Sequence, residues 1–162
     1  MLEIVKWPDP LLKKHSVVVP EINDEIRTLV DEMFETMEKG KGVGLAGVQV
    51  GKLLRVFVTR VPNDTLRAFI NPDILETSIE VEPFEEGCLS IPGIYTDVIR
   101  PSSVRVQAWN QKGRPFTLNA EGYLARVIQH EFDHLNGVVF LDRIDQKKKQ
   151  RLLVEYEASV EA

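Results

Sequence analysis

The segment His130-Glu131-Phe132-Asp133-His134 is a strict H-E-x-x-H match. On a helix, residues four apart share a face, so both imidazoles can reach one metal ion. Glu131 would then stand beside that ion without ligating it, placed to take a proton from a bound water. Such a set does metal-assisted hydrolysis, although five residues also match by chance when histidines merely pack. A third ligand separates the candidate chemistries. In the extended pattern H-E-x-x-H-x-x-G-x-x-H, Gly137 fits but the last position is Phe140, which cannot bind a metal. A His₂Glu protease site would need a downstream glutamate, for which Glu155 and Glu157 are available. The other choice is Cys88, the one cysteine of the chain, within Glu85-Glu86-Gly87-Cys88-Leu89-Ser90. A lone cysteine is commonly a small buried hydrophobe, but this polar, glycine-flanked setting argues against the core. A structural site closed by four ligands would have to recruit an Asp or Glu, because the remaining histidine, His15, is far away in the N-terminal segment. The residues by themselves leave all three readings open.

These side chains need elements to hold them. A helix is expected from about Glu121 to Leu135, capped near Asn119 and ended by Asn136-Gly137, with Leu124, Val127, Ile128 and Leu135 as its buried stripe. Ile26, Leu29, Val30, Met33, Phe34 and Met37 repeat at helical spacing between Asn23 and about Lys39, and Gly40 stops that helix. Asp9-Pro10 opens a short capped helix, and a charged helix is expected over about 145–157. Between them, 54–59, 68–71, 76–81, 104–109 and 116–118 read as short strands separated by turn signals. Helix, strands, then helices give an α+β fold, antiparallel sheets packed around a central metal-binding helix, in a single domain over 1–162.

Composition bounds the class. The chain has 162 residues, 43% of them hydrophobic and 28% charged, the balance of a globular domain large enough to bury its own core. No apolar run approaches the ~20 residues of a membrane span. One cysteine excludes an internal disulfide and suits a reducing, cytoplasmic setting, and the N-terminus lacks a secretory pattern. A net charge of −5 gives no DNA-binding footprint.

Three motifs, taken in order, resemble the peptide deformylase family. They are Gly42-Val43-Gly44-Leu45-Ala46-Gly47-Val48-Gln49, Glu86-Gly87-Cys88-Leu89-Ser90 and Gln129-His130-Glu131-Phe132-Asp133-His134. The resemblance covers nearly the whole chain. One departure is Gly47, where the family usually has alanine; the expected consequence is a slightly freer loop around Gln49.

The resemblance implies one divalent metal ion ligated by Cys88, His130 and His134, with Fe²⁺ expected and Zn²⁺ or another divalent ion as alternatives. It implies removal of the N-formyl group from the N-terminal methionine of newly made peptides. Hydroxide generated at the metal attacks the formyl carbon, Glu131 acts as general acid and base, and Gln49 with the Leu89 N–H meets the developing oxyanion. Val43, Gly44, Leu45, Tyr95 and Val127 are the candidate substrate-binding residues, with the backbone around Gly44 and Leu45 pairing with the peptide as an added strand. Glu86 and Arg100 are a candidate ion pair steadying the cysteine loop, and Asp133 a supporting residue rather than a catalytic one. Lys147, Lys148, Lys149 and Arg151 form a basic cluster, read as a solvated helix face or as a ribosome contact.

Overall fold

The fold is built round α2 (Gly122–Leu135), which is buried over nearly its whole length rather than along one stripe. The computed structural model describes residues 2–161. Ala125, Ile128 and Leu135 of α2 pack against a five-stranded antiparallel sheet ordered β1-β2-β3-β6-β7. Its strands are β1 (Gly44–Ala46), β2 (Val56–Thr59), β3 (Arg67–Thr77), β6 (Ser103–Trp109) and β7 (Pro115–Glu121). Phe57 and Phe69 stack across β2 and β3 with ring centroids 4.7 Å apart. On another side of the sheet lies α1 (Asp24–Lys39), whose Ile26, Leu29, Val30, Met33, Phe34 and Met37 are buried at the spacing that predicts them. Asn23 caps its N-terminus through Oδ1, accepting from Ile26 N. Gly40 follows the last turn, but the left-handed residue there is Lys41, with φ of 59°.

A second, two-stranded sheet is the hairpin β4 (Val81–Cys88) and β5 (Ile91–Pro101). The buried face of β5 packs with the 3-10 turn Phe140–Arg143 and with α3 (Gln146–Glu161) through Ile91, Ile94, Val98, Leu141, Leu152 and Tyr156. This third apolar cluster supports Cys88 from behind. The chain is thus a single-domain α+β fold of antiparallel sheets around the helix carrying the H-E-x-x-H motif.

Several elements depart from expectation. The segments 68–71 and 76–81 are not two strands. Both β3 and its turn are involved, because the strand runs on through register shifts near Ile70 and Ile74 and ends at Thr77. The hairpin was not foreseen: β4 is acidic, contains Pro83 and is largely exposed, so it lacks the β-branched alternation by which strands are recognised. Asn119 lies in β7 and caps nothing; Glu121 precedes α2 without a side-chain cap. The last helix extends beyond 157, to Glu161.

Candidate active site

Two elements supply the candidate ligands. His130 and His134 project from one face of α2, and Cys88 ends β4 immediately before the tight turn Leu89–Ser90. Cys88 Sγ and one nitrogen of each histidine lie within 4.8 Å of one another, and Sγ is 3.4 Å from His134 Nε2. Glu155, on α3, is exposed and takes no part in this cluster. His15 is exposed as well.

The donor set fits a divalent transition-metal ion. A thiol and two buried imidazoles converge, and no fourth protein donor joins them among the described residues. His130 Nδ1 lies 2.9 Å from Glu86 Oε1, a pairing that occupies Nδ1 and leaves Nε2 as the nitrogen available to a metal. Burial holds His134 well below the usual histidine range, so its ring is neutral, the form a metal requires.

Glu86 is the hub of the surrounding polar network. Its Oε2 accepts from Arg100 Nε at 2.7 Å and Arg126 Nη1 at 2.8 Å, and its Oε1 from Arg100 Nη2 at 3.0 Å. Burial would raise this carboxyl, but the hydrogen bonds from His130 and Arg100 prevail and hold its pKa down to about 2. Arg100 also donates to Asp133 Oδ2 at 2.9 Å, and Asp133 accepts again from Arg143. The expected Glu86–Arg100 pair is present, and Asp133 is a buried support.

Glu131 stands next to the cluster, Oε2 3.9 Å from His130 Nε2, with Oε1 lacking a protein partner among the described residues. Burial pushes its carboxyl up to about 7, the range of a group that both takes and returns a proton at neutral pH. Gln49, in the 3-10 turn Gly47–Val50, is locked in orientation: Oε1 accepts from Ala46 N at 2.9 Å. Its Nε2 donates to Ser90 Oγ at 3.1 Å and reaches Cys88 Sγ at 3.3 Å.

A cavity of about 710 Å³ opens over these groups, lined among others by Val43, Gly44, Gln49, Cys88, Leu89, Tyr95, His130 and Glu131. Leu45 and Val127, both expected at the pocket wall, are buried beside it instead, Leu45 in the α1 cluster. Phe84 and Tyr123 line the cavity and were missed, and Arg126, which holds Glu86, was missed as well. An arginine one turn before His130, on the helix face it shares with Gln129, His130 and Asp133, was the available signal for a buried ion pair.

Close approach explains two glycines. A Cβ on Gly44 would lie 2.6 Å from Glu131 Oε2 and 2.7 Å from Val127 Cγ1. A Cβ on Gly47 would lie 2.8 Å from the Lys52 carbonyl oxygen. Gly47 therefore meets a packing demand, and backbone freedom is not the whole of its difference from alanine.

The polypeptide deformylase family model matches residues 1–150. A peptide deformylase of Treponema pallidum is 48% identical over 157 residues, 97% of this chain and 96% of its own. One from Borreliella burgdorferi is 45% identical, covering 96% of this chain and 94% of its own. The crystal structure of an Ehrlichia chaffeensis peptide deformylase in complex with actinonin superposes with a TM-score of 0.95 at 39% identity, covering 98% of this chain and 97% of that one.

Proposed function

The chain belongs to the polypeptide deformylase family and is a metal-dependent hydrolase of N-formylmethionyl peptides, and from that premise we propose how its residues divide the work. Cys88 Sγ and the His130 and His134 rings would hold one divalent ion, which when bound would polarise the formyl carbonyl and activate the attacking water. Glu131 takes the proton of that water at its carboxylate as the water oxygen bonds to the formyl carbon. The carbon–nitrogen bond breaks as Glu131 passes the proton to the leaving amine, giving formate and a free N-terminus. Negative charge growing on the formyl oxygen is met by the Gln49 Nε2–H and the Leu89 backbone N–H. Ser90 holds one Nε2–H of the Gln49 amide, and the other, which faces Cys88 Sγ, is the one that turns to the oxyanion.

The peptide lies extended against β1, whose one paired neighbour among the described residues is β2, leaving its other edge for an added strand. Val43, Gly44 and Tyr95 line its path, with the methionine side chain entering the apolar part of the cavity. The observation that carries this reading is the gathering of Cys88, His130, Gln49 and Glu131 at one cavity wall. Fe²⁺ is the ion proposed for the cell, Zn²⁺ or another divalent ion being able to occupy the same donors.

We extend the proposal to where the enzyme works. The whole chain acts as one catalytic domain in the cytoplasm, and no described helix is long and apolar enough to cross a membrane. Lys147, Lys148, Lys149 and Arg151 stand at the start of α3, where Lys149 pairs with Asp142 and Lys147 and Arg151 are exposed. They form a contact for ribosomal RNA near the emerging nascent chain. Protein purified without oxygen and loaded with Fe²⁺ should release formate from a formyl-methionyl tripeptide; no formate from fully metallated protein overturns the reading.

A further inference from the structure

The candidate ligands lie on two elements, α2 and the β4–β5 hairpin, whose backbones scarcely approach each other. α2, with the histidines, packs against β1, β2, β6 and β7, whereas the hairpin with Cys88 packs against the Phe140–Arg143 turn and α3. Apart from the short links from β3 and into β6, what joins the hairpin to α2 is a layer of buried side chains. Arg126, 4% exposed, is the member of that layer that bonds to both strands of the hairpin. Its Nη1 donates to Glu86 Oε2 at 2.8 Å and to the Val98 carbonyl of β5 at 2.7 Å. Its Nη2 donates to the Glu82 carbonyl of β4 at 2.8 Å. One guanidinium thereby ties both strands of the hairpin to α2, one helical turn before His130. It also holds the carboxylate that orients the His130 ring. Above it the Phe84 ring, centred 5.8 Å away, continues to Tyr123 at 5.4 Å, and both rings line the cavity.

An apolar side chain would fill this space without desolvating a charge. The fork is worth keeping only if its three acceptors need to be held together, since buried ion pairs are a weak source of stability in themselves. We propose that Arg126 is a positioning residue for the metal centre, clasping the β4–β5 hairpin to α2 so that Cys88 stays at ligating distance from His130 and His134. This rests on the reading that Cys88, His130 and His134 hold the ion.

The test follows release of Co²⁺ into excess chelator, because a Co²⁺–thiolate absorption band reports ligation by cysteine. The band should be present in the unsubstituted protein and absent in Cys88→Ser; its absence from the unsubstituted protein would refute the ligand assignment, not the clasp. Arg126→Leu should release Co²⁺ about 10–100-fold faster than the unsubstituted protein. Arg126→Lys, which keeps the charge but not the fork, should fall between. Val106→Ala, a cavity in the five-stranded sheet, lowers the melting temperature without touching the clasp and should release within about twofold of normal. If Arg126→Leu does not fold, Arg126→Lys against Val106→Ala decides the matter. Normal release from the Arg126 variants overturns the proposal, as does release from Val106→Ala as fast as theirs.

Discussion

At the scale of single residues, the site depends on side chains whose freedom has been removed. Gln49 is held at both ends of its amide, His130 by Glu86, and Glu131 by the absence of room beside Gly44. Gly44→Ala forces the Glu131 carboxylate or the Val127 side chain aside. A displacement near 1 Å costs on the order of 10²-fold in rate. Steady-state kinetics should show kcat reduced by about that factor while the metal content stays at one ion per chain. Arg100→Ala leaves Glu86 and Asp133 buried without their shared partner and should lower stability by about 3–5 kcal/mol in denaturant unfolding. An unchanged unfolding midpoint would show that Arg126 and Arg143 suffice.

At the scale of elements, the functional helix was legible because its chemistry and its periodicity coincide. H-E-x-x-H, the buried residues before it and the Asn136-Gly137 stop all describe one helix, and Gly137 sits at φ 75° where that stop requires it. The hairpin holding Cys88 was not legible in the sequence, and the motif resemblance reached only Cys88 itself. Glu82, Pro83, Glu85 and Glu86 read as loop, since their strand state is imposed by pairing with β5 rather than by local preference. Leu45 and Val127 show a related limit: apolar type alone does not tell a pocket wall from the core behind it. Two substitutions probe the elements. Gly47→Ala should cost about 1–3 kcal/mol through contact with the Lys52 carbonyl. Leu152→Ala, on α3, opens the cluster behind the hairpin and should cost about 2–5 kcal/mol in the same measurement.

At the scale of the molecule, the candidate ligands come from α2, packed on the five-stranded sheet, and from the hairpin, packed on α3 and the Phe140–Arg143 turn. An ion bound between them stabilises the folded state by mass action, about 2.7 kcal/mol at free metal 100-fold above its dissociation constant. Removing it with a chelator should therefore lower the melting temperature by about 5–11 °C at this chain length. Cys88→Ser should show little further loss on chelation. The basic start of α3 makes a separate expectation: co-sedimentation with ribosomes that weakens steeply with salt and disappears when Lys147, Lys148 and Lys149 are replaced by glutamate.

The central claim is that hydrolysis runs through Glu131 at a centre assembled by Cys88, His130 and His134. It is tested most directly by measuring formate release and bound metal together in Glu131→Gln. The account predicts one metal ion per chain, as in the unsubstituted protein, and a rate lower by about 10²–10⁴-fold. Full metal content with an undiminished rate would contradict it.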